Sequence, residues 1–329
     1  MNEPILDIPV AIIFFSRPEQ FKQVFEAVKK ARVSKLFLIQ DGAREGRKED
    51  INNIEECRKI ADNIDWECEV HRNYSDVNLG CGARVSSGIT WAFEYVDRLI
   101  ILEDDTVPNL SWFKFCIEIL EKYKNDLRIG MVTGVNHLGT YEGCGDDYIY
   151  STCGSIAGWA TWKRVWDNYD YNIEFAENKY YLNLLEKIIY PNWLAKSVIN
   201  RAKGILSMSK SGQKRSSWSG PLGFTIYMNS QLIIVPKVNL ITNVGLTAGA
   251  TNGGTTKGIL PHKLQSIFDA EKYELEFPLR HPKYLIEDRI YNDKLSVIMN
   301  GGRNPLSRLI YNLEFYLRIS LVRFLKLVK

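Results

Sequence analysis

Three consecutive carboxylates, Glu103, Asp104 and Asp105, are the residues of this sequence best suited to chemistry. The apolar residues 99–102 precede them, so the triplet stands at the end of a predicted buried strand. Carboxylates placed there repel one another, and a divalent cation would relieve that repulsion. Their hard oxygens suit Mg²⁺ or Mn²⁺, which proteins bind through one or two carboxylates plus substrate phosphates. The triplet predicts a metal site, and a solvated acidic turn is the alternative.

Polar residues also follow the three earlier apolar segments. Arg17 follows the first and could meet a phosphate, and Asp41 follows the second and could accept from a ribose or base. Asn78 and Gly80, with Arg84 beyond them, could open a helix at a pyrophosphate. Each alone is compatible with a surface turn. Four polar groups at four successive strand ends together predict a nucleotide site.

The elements that must position these groups alternate between two periods. The apolar runs 10–15, 36–39 and 99–102 read as buried strands, and residues 66–71 alternate like a fourth. Helical spacing follows in 21–28, 51–64 and 85–96, and the first helix should begin with Ser16 as N-cap and Pro18 in its first turn. Strand and helix in alternation predict an α/β fold, Rossmann-like, with a mostly parallel sheet flanked by helices. Ligands bind beyond the carboxyl ends of such strands.

The second half of the chain has a weaker pattern. Residues 176–203 read as helical, 233–240 as a strand, and the Gly-, Thr- and Asn-rich 242–258 as a mobile loop or lid. Residues 303–329 carry six Lys/Arg and one Glu, with apolar residues every three or four positions. Such a helix suits an anionic membrane interface, although a helix packed on the protein is equally compatible with the pattern.

Composition bounds the class of protein. Of 329 residues, 45% are hydrophobic and 25% charged, which excludes a disordered chain, and no apolar run is long enough to span a bilayer. The six cysteines lack C-x-x-C spacing and no secretory signal is apparent, which predicts a cytoplasmic protein. The charge balance is −8 over residues 1–150 and +11 over 151–329. This asymmetry indicates an anionic partner such as membrane or phosphate, and we expect no nucleic-acid partner.

Several segments of the chain together carry a resemblance to a known family. They are IPVAIIFFSRPEQ, KLFLIQDGAR, ECEVHRNYSDVNLGCGARVSSGITWAF, LIILEDDTVPNLSWFKFC, GSIAGWATWKRVWDNYD and IIVPKVNLITNVGL. Through them, over residues 8–250, the chain resembles the bacterial glycosyltransferases labelled hemolytic-protein-like and is more distantly similar to N-acetylglucosaminyltransferase I. The resemblance implies the GT-A fold, with a nucleotide-sugar-binding half at 1–110, an acceptor-binding half at 111–260 and a C-terminal extension with a basic amphipathic helix at 261–329.

The resemblance also implies roles for individual residues. Asp105 would ligate Mn²⁺ or Mg²⁺, Glu103 and Asp104 would hold the sugar and ribose, and the metal would stabilise the diphosphate leaving group. The donor would be a UDP-sugar, and the acceptor a glycan or lipid-linked glycan of the bacterial surface, with contact to the inner face of the membrane. The other donor-binding positions are Ser16, Arg17, Asp41, Asn78, Gly80, Arg84, Gly158 and Trp159.

The catalytic base is the point where this sequence departs from the family pattern. An acidic residue usually follows the Trp that corresponds to Trp218, but here Ser219 stands there. Inverting transfer needs a base to take the acceptor proton. The candidates near the other motifs are Asp146, Asp147, Asp167 and Asp170.

Three functions therefore stay open. The first is a metal-dependent, inverting glycosyltransferase. The second, motivated by Ser219, is a catalytically silent nucleotide-sugar-binding or scaffold protein of glycan assembly. The third, a nucleotidyltransferase, is disfavoured because Ser16-Arg17-Pro18 replaces the glycine-rich basic loop that such enzymes need after the first strand. The absence of a G-x-G-x-x-G motif disfavours a dinucleotide dehydrogenase.

Overall fold

The computed structural model describes residues 5–143, 145–190, 192–213, 217–245 and 259–327. The strands are β1 (Leu6–Phe14), β2 (Val33–Gln40), β3 (Glu69–Tyr74), β4 (Arg98–Glu103), β5 (Thr106–Pro108), β6 (Ile129–Thr133), β7 (Tyr148–Ser151), β8 (Trp159–Trp162), β9 (Leu232–Pro236) and β10 (Ile241–Asn243). The helices are α1 (Pro18–Ala31), α2 (Lys48–Ala61), α3 (Cys81–Ala92), α4 (Leu110–Lys122), α5 (Lys163–Trp166), α6 (Lys179–Ile188), α7 (Asn192–Lys210), α8 (Ser219–Met228), α9 (His262–Gln265), α10 (Arg289–Asn300) and α11 (Pro305–Leu327).

One large sheet organises the described chain, in the order β3-β2-β1-β4-β8-β6-β9-β7. Strands β1 to β4 are parallel to one another, whereas β8 is antiparallel to both β4 and β6, and β7 is antiparallel to β9. Strands β6 and β9 run in the same direction as β4. The predicted α/β class with a mostly parallel sheet flanked by helices is confirmed.

Alternate residues of the central strands feed two cores, one on each face of the sheet. Ile12 and Leu102 pack with α1, α2 and α4, whereas Ala11 and Ile101 pack with α3, α8 and α10. Because both faces are covered, both sets of side chains must be apolar, which explains the unbroken apolar runs in the sequence. A smaller third core joins α6, α7 and α8.

The start of α1 differs from the sequence-based expectation. The N-cap is Arg17 and no side chain caps the helix, so the predicted N-cap at Ser16 is wrong. Pro18 opens the helix as expected, because a residue without an N–H leaves no donor unsatisfied in the first turn. The Arg17 guanidinium instead points toward the end of β4, where it pairs with Asp104 and Asp105.

Other boundaries also shift. The strand expected at 66–71 lies at β3, because the Trp66 ring is buried and its Nε1 donates to the Val33 carbonyl before the strand begins. The strand expected at 233–240 ends at Pro236 as β9, and the helix expected at 176–203 is divided into a 3-10 turn at Glu174–Glu177, α6 and α7. Of the lid predicted at 242–258, residues 246–258 lie outside the described residues, and the first two residues belong to β10. Among the described helices, none is long and apolar enough to cross a membrane.

Candidate functional site

The carboxyl ends of β1 and β4 bring three predicted site residues together. Arg17 follows β1, and its Nη2 donates to Asp104 and, at 3.0 Å, to an Asp105 oxygen; its Nε donates to Asp104 at 3.3 Å. The Arg17 and Asp105 side chains are only 16% and 17% exposed. Burial by itself would lower the pKa of Arg17, but Asp104 and Asp105 reverse this and raise the pKa above its ordinary value. We call Arg17, Glu103, Asp104 and Asp105 the strand-end cluster.

Glu103 is the least compensated member of the strand-end cluster. Burial, followed by the charges of Asp105 and Asp104, raises the pKa of Glu103 to about 8. The thiol of Cys81, the first residue of α3, lies near the same charges, and burial with Glu103 and Asp104 raises its pKa to about 12. The amino-terminal end of α3 therefore lies near the strand-end cluster.

A two-stranded ribbon completes the cluster from a distant part of the chain. Strand β10 pairs with β5 so that Asn243 lies opposite Thr106. The Val244 amide donates to the Asp105 carbonyl at 2.8 Å, the Asn243 Nδ2 lies 3.5 Å from an Asp105 carboxylate oxygen, and the Gly245 amide donates to the Asn243 side chain at 2.8 Å. The sequence predicted residues 243–245 as part of a mobile loop or lid at 242–258, but Asn243 instead ends β10, and Val244 and Gly245 follow it against Asp105. The quoted segment that ends in TNVGL was the only sequence signal that these residues belong to the site.

Gly245 is required by close approach to Asp105. A Cβ built on Gly245 would lie 2.1 Å from an Asp105 carboxylate oxygen. Gly245→Ala should therefore push the carboxylate away from its present position and weaken ligand binding at the cluster about tenfold, while the global fold is retained. Nucleotide titration by calorimetry measures this. Gly204→Ala is the control, because an added Cβ there meets nothing within 4 Å. Equal affinities of the two variants would contradict the steric argument.

Asp41 holds the loop between β3 and α3. One of its carboxylate oxygens accepts from the amides of Gly42 and Leu79 at 3.0 and 2.9 Å, and the other accepts from the Gly80 amide at 2.9 Å. Asn78 ties the same loop to the Gly42 carbonyl at 2.8 Å. Asp41 is 6% exposed, so the structure shows it positioning the loop at the start of α3. A nucleotide base could contact Asp41, as expected from the sequence, only through carboxylate oxygens that already accept these backbone hydrogen bonds.

Arg84 is directed into the protein. Its Nε donates to the Gln40 carbonyl at 3.1 Å, and its Nη2 donates to the Asn73 carbonyl and, at 2.8 Å, to the Asn73 side chain. Burial lowers the pKa of Arg84 despite the charge of Asp41. These bonds join the ends of β2 and β3. Because Nε and Nη2 of Arg84 already donate to protein acceptors, they do not point toward a bound diphosphate as expected.

Gly158 and Trp159 lie beneath the ribbon. Gly158 has φ +74°, and a Cβ there would lie 2.1 Å from the Ile241 side chain, so only glycine allows β10 to pack so closely. Trp159 is fully buried and stacks on Trp218 with ring centroids 5.5 Å apart. Because the Trp159 ring is fully buried, it does not offer a surface to a donor sugar as expected. It packs in the core beside the ribbon of β5 and β10 instead.

None of the four proposed catalytic carboxylates reaches the strand-end cluster. Asp146 and Asp147 precede β7, which is four strand spacings from β4, or roughly 19 Å. Asp167 and Asp170 follow β8, whose last residue pairs with the first residue of β4, so they start from the opposite edge of the sheet. Asp167 pairs with Lys163, and Asp170 accepts from the Glu174 amide. Their sequence proximity to other motifs was misleading because β8 runs antiparallel to β4.

Asp147 belongs instead to a structural ion-pair network. It is 4% exposed and accepts from the Lys237 Nζ at 2.6 Å and from the Arg280 amide and guanidinium at 2.6 and 3.2 Å. Burial tends to raise the pKa of Asp147, but these donors lower it below its ordinary value. The network ties β9 to the segment that leads to α10.

Asp147→Asn should cost about 1–3 kcal/mol in the free energy of unfolding at pH 7, because charged hydrogen bonds are lost. A lowered native-state pKa contributes stability that is present above the unfolded-state value, near ~3.9 for aspartate, and that is lost as the pH falls through the native value. The difference between wild type and variant should therefore shrink below about pH 4. Urea unfolding at several pH values measures it. Asp62→Asn, in an exposed pair with Arg72, should change little.

A cavity of about 560 Å³ opens between the sheet and helices α7, α8 and α10. Its floor is apolar, with Met131 and Ile233, and Ser219 lies on its wall. His137, in the loop after β6, lines the cavity, and burial lowers its pKa to about 4, so the imidazole is neutral at pH 7. Ser219, where the resemblance led us to expect an acid, thus borders a hollow that is lined by both apolar side chains and the charged Arg201.

A single carboxylate of the strand-end cluster, that of Asp105, could ligate a divalent cation. Within the described ranges, no group of three or more His, Cys, Asp or Glu residues is arranged to hold a metal. The Asp105 carboxylate is partly exposed, and the missing Cβ of Gly245 leaves room beside it. Such a site suits Mg²⁺ or Mn²⁺, which commonly use one or two carboxylates and take their other ligands from water and phosphate.

Comparison with known proteins gives structural similarities at low identity. No family model and no curated protein matches the sequence. A UDP-glucose pyrophosphorylase complexed with UDP-glucose aligns with TM-score 0.28 and 8% identity over 49% of this chain and 78% of that chain. The inositol-1-phosphate CTP transferase from T. maritima gives 0.35 and 11% over 80% and 96%. Mouse xyloside xylosyltransferase 1 gives 0.32 and 10% over 70% and 84%.

Proposed function

We propose that the protein is a metal-dependent glycosyltransferase that binds a nucleotide-diphosphate sugar at the strand-end cluster. The observation that carries the proposal is the convergence of Arg17, Asp105 and the start of α3 at one edge of the sheet. A cation, a carboxylate and a helix amino terminus in one place suit a metal-bound diphosphate. The donor we favour is a UDP-sugar, and the acceptor is a glycan or lipid-linked glycan.

Each part of this edge has a task in that reaction. The first turn of α3 carries no acidic residue and no side-chain cap, so its N–H groups are available to an anion. Arg17 adds a full positive charge against the diphosphate, and Glu103 and Asp104 offer oxygens to sugar or ribose hydroxyls. Mn²⁺ or Mg²⁺ held through Asp105 would supply Lewis-acid stabilisation of the leaving group. Asp41 and Asn243 position this machinery from either side.

A catalytically silent nucleotide-sugar-binding protein is the second candidate. Two observations favour it: Ser219 replaces the family's acid, and the candidate bases Asp147 and Asp167 lie elsewhere in the fold. Inverting transfer without a base at the acceptor would be slow, because proton removal in the transition state contributes ~10²–10⁴-fold to rate. This candidate predicts donor binding with no transfer and at most slow donor hydrolysis.

Thermal unfolding of the purified protein with UDP, GDP, CDP and TDP, each with and without Mn²⁺, tests the shared binding step. A ligand at 100 times its Kd adds about 2.7 kcal/mol to stability. We expect a shift with one nucleotide, UDP, that requires the metal. No shift with any nucleotide would refute both candidates. Product NMR after incubation with the donor and glycan acceptors then separates transfer from silent binding, and the product anomer reports inversion or retention.

A further inference from the structure

The last helix, α11, exposes an apolar face. Seven large side chains are each more than half exposed, and they recur at helical spacing over about 22 Å of the helix. Soluble monomers rarely expose so continuous an apolar strip unless it binds something. We call these seven residues the outer face of α11. They are Leu306, Leu309, Ile310, Leu313, Tyr316, Leu317 and Leu321.

The opposite face of α11 fixes this orientation. Glu314 accepts from the His262 amide at 2.9 Å and from the Arg318 Nε at 2.8 Å. A Cβ on Gly301, in the turn between α10 and α11, would lie 2.9 Å from the Tyr311 Cβ, so the helix also packs against that turn. Glu314, Arg318 and Tyr311 therefore lie toward the protein, and the outer face is directed away from it.

Charge decides which occupant suits the outer face. Residues 303–329 carry six Lys/Arg against the single Glu314, and residues 151–329 as a whole carry a balance of +11. Pairing the outer faces of two copies would bring these basic segments together, and their repulsion would oppose the contact. An anionic lipid surface instead supplies apolar depth for the leucines and negative headgroups for the net positive charge of this segment.

We propose that the outer face of α11 binds an anionic lipid surface, with the helix lying in the plane of the interface. The described helices include none that could span a bilayer, so the contact is peripheral. Tyr316 lies within the outer face, and its amphipathic ring suits the headgroup level. This surface is independent of the strand-end cluster, and it holds whichever of the candidate functions applies.

Flotation of the full chain with phosphatidylcholine vesicles, with or without 30 mol% phosphatidylglycerol, tests the proposal directly. We expect binding that requires phosphatidylglycerol and weakens as salt is raised. The variant Leu313→Gln/Leu317→Gln should lose at least tenfold in partitioning, because two apolar anchors are replaced without any change in charge. The matched control is Ser307→Gln/Asn312→Gln, at two exposed polar positions of the same helix, and it should partition like wild type.

Three results would contradict the proposed binding of α11 to anionic lipid. Equal partitioning of Leu313→Gln/Leu317→Gln and the control, with equal thermal stability of both, would overturn the role of the outer face. Binding to phosphatidylcholine alone as strong as to the anionic vesicles would overturn the recognition of anionic lipid. Light scattering that finds a wild-type dimer and a monomeric Leu313→Gln/Leu317→Gln variant, with no vesicle binding by either, would show instead that a second copy covers this face.

Discussion

Asp105→Asn is expected to abolish the metal-dependent stabilisation by nucleotide and at least 99% of donor turnover. The change keeps the shape of the side chain but removes the charge that a divalent cation requires. In wild type, UDP with Mn²⁺ at 100 times the Kd should raise the Tm by roughly 5 °C, which follows from about 2.7 kcal/mol of linkage. In the variant that shift should disappear.

The unliganded Tm shows whether Asp105→Asn acts through the fold. We expect it to stay near the wild-type value or to rise, because the variant removes one of three neighbouring carboxylates. Asp65→Asn is the matched control, since Asp65 is an exposed aspartate paired with a cation, Lys29. A variant that keeps the Mn²⁺-dependent shift would refute the assignment of Asp105 as the metal ligand.

Arg17→Ala is expected to weaken nucleotide diphosphate binding by roughly 10- to 100-fold, because charge-assisted hydrogen bonds contribute about 1.5–3 kcal/mol each. It should also lower the stability of the unliganded protein by about 3 kcal/mol, since Asp104 would be left buried without its partner. The two losses are separable by calorimetric titration with UDP and by urea unfolding.

Mn²⁺ provides the sharper test of Arg17. Without the guanidinium, the carboxylates of Asp104 and Asp105 repel each other, so Mn²⁺ alone should stabilise Arg17→Ala more than it stabilises wild type. Arg128→Ala is the control, because Arg128 is an exposed arginine that forms a close pair with Asp126. An Arg17→Ala protein that responds to Mn²⁺ no more than wild type would contradict the placement of Arg17 and the metal at one site.

Much of the site's location follows from local sequence. The apolar runs that become β1, β2 and β4 are legible because both faces of the sheet are covered, and the polar residues after them mark the carboxyl edge. Arg17 and Asp105 are separated by 88 positions, yet the parallel order brings them within 3.0 Å. The sequence predicted that both residues follow strands of one parallel sheet, and their direct contact results from the pairing of β1 with β4.

The roles at that edge depended on contacts that local pattern does not encode. The sequence suggests Arg84 as a phosphate ligand, but in the structure Arg84 donates hydrogen bonds to Gln40 and Asn73 at the ends of β2 and β3. The sequence suggests Asp147 as a candidate base, but its carboxylate accepts hydrogen bonds from Lys237, 90 positions away, and from Arg280. Only the packed structure shows which polar groups satisfy each other, because buried polar groups take partners from any part of the chain.

The sequence by itself determined the α/β architecture and placed the acidic triplet at the end of a buried strand, because side-chain periodicity is a local property. The tertiary structure alone decided that β8 runs antiparallel, which sends Asp167 and Asp170 to the opposite edge. It also decided that Asn243 and Gly245 close around Asp105, 138 residues from Asn243. Strand order and the pairing of β5 with β10 are set by the packing of the whole chain, and they bring these separate polar residues together at one site.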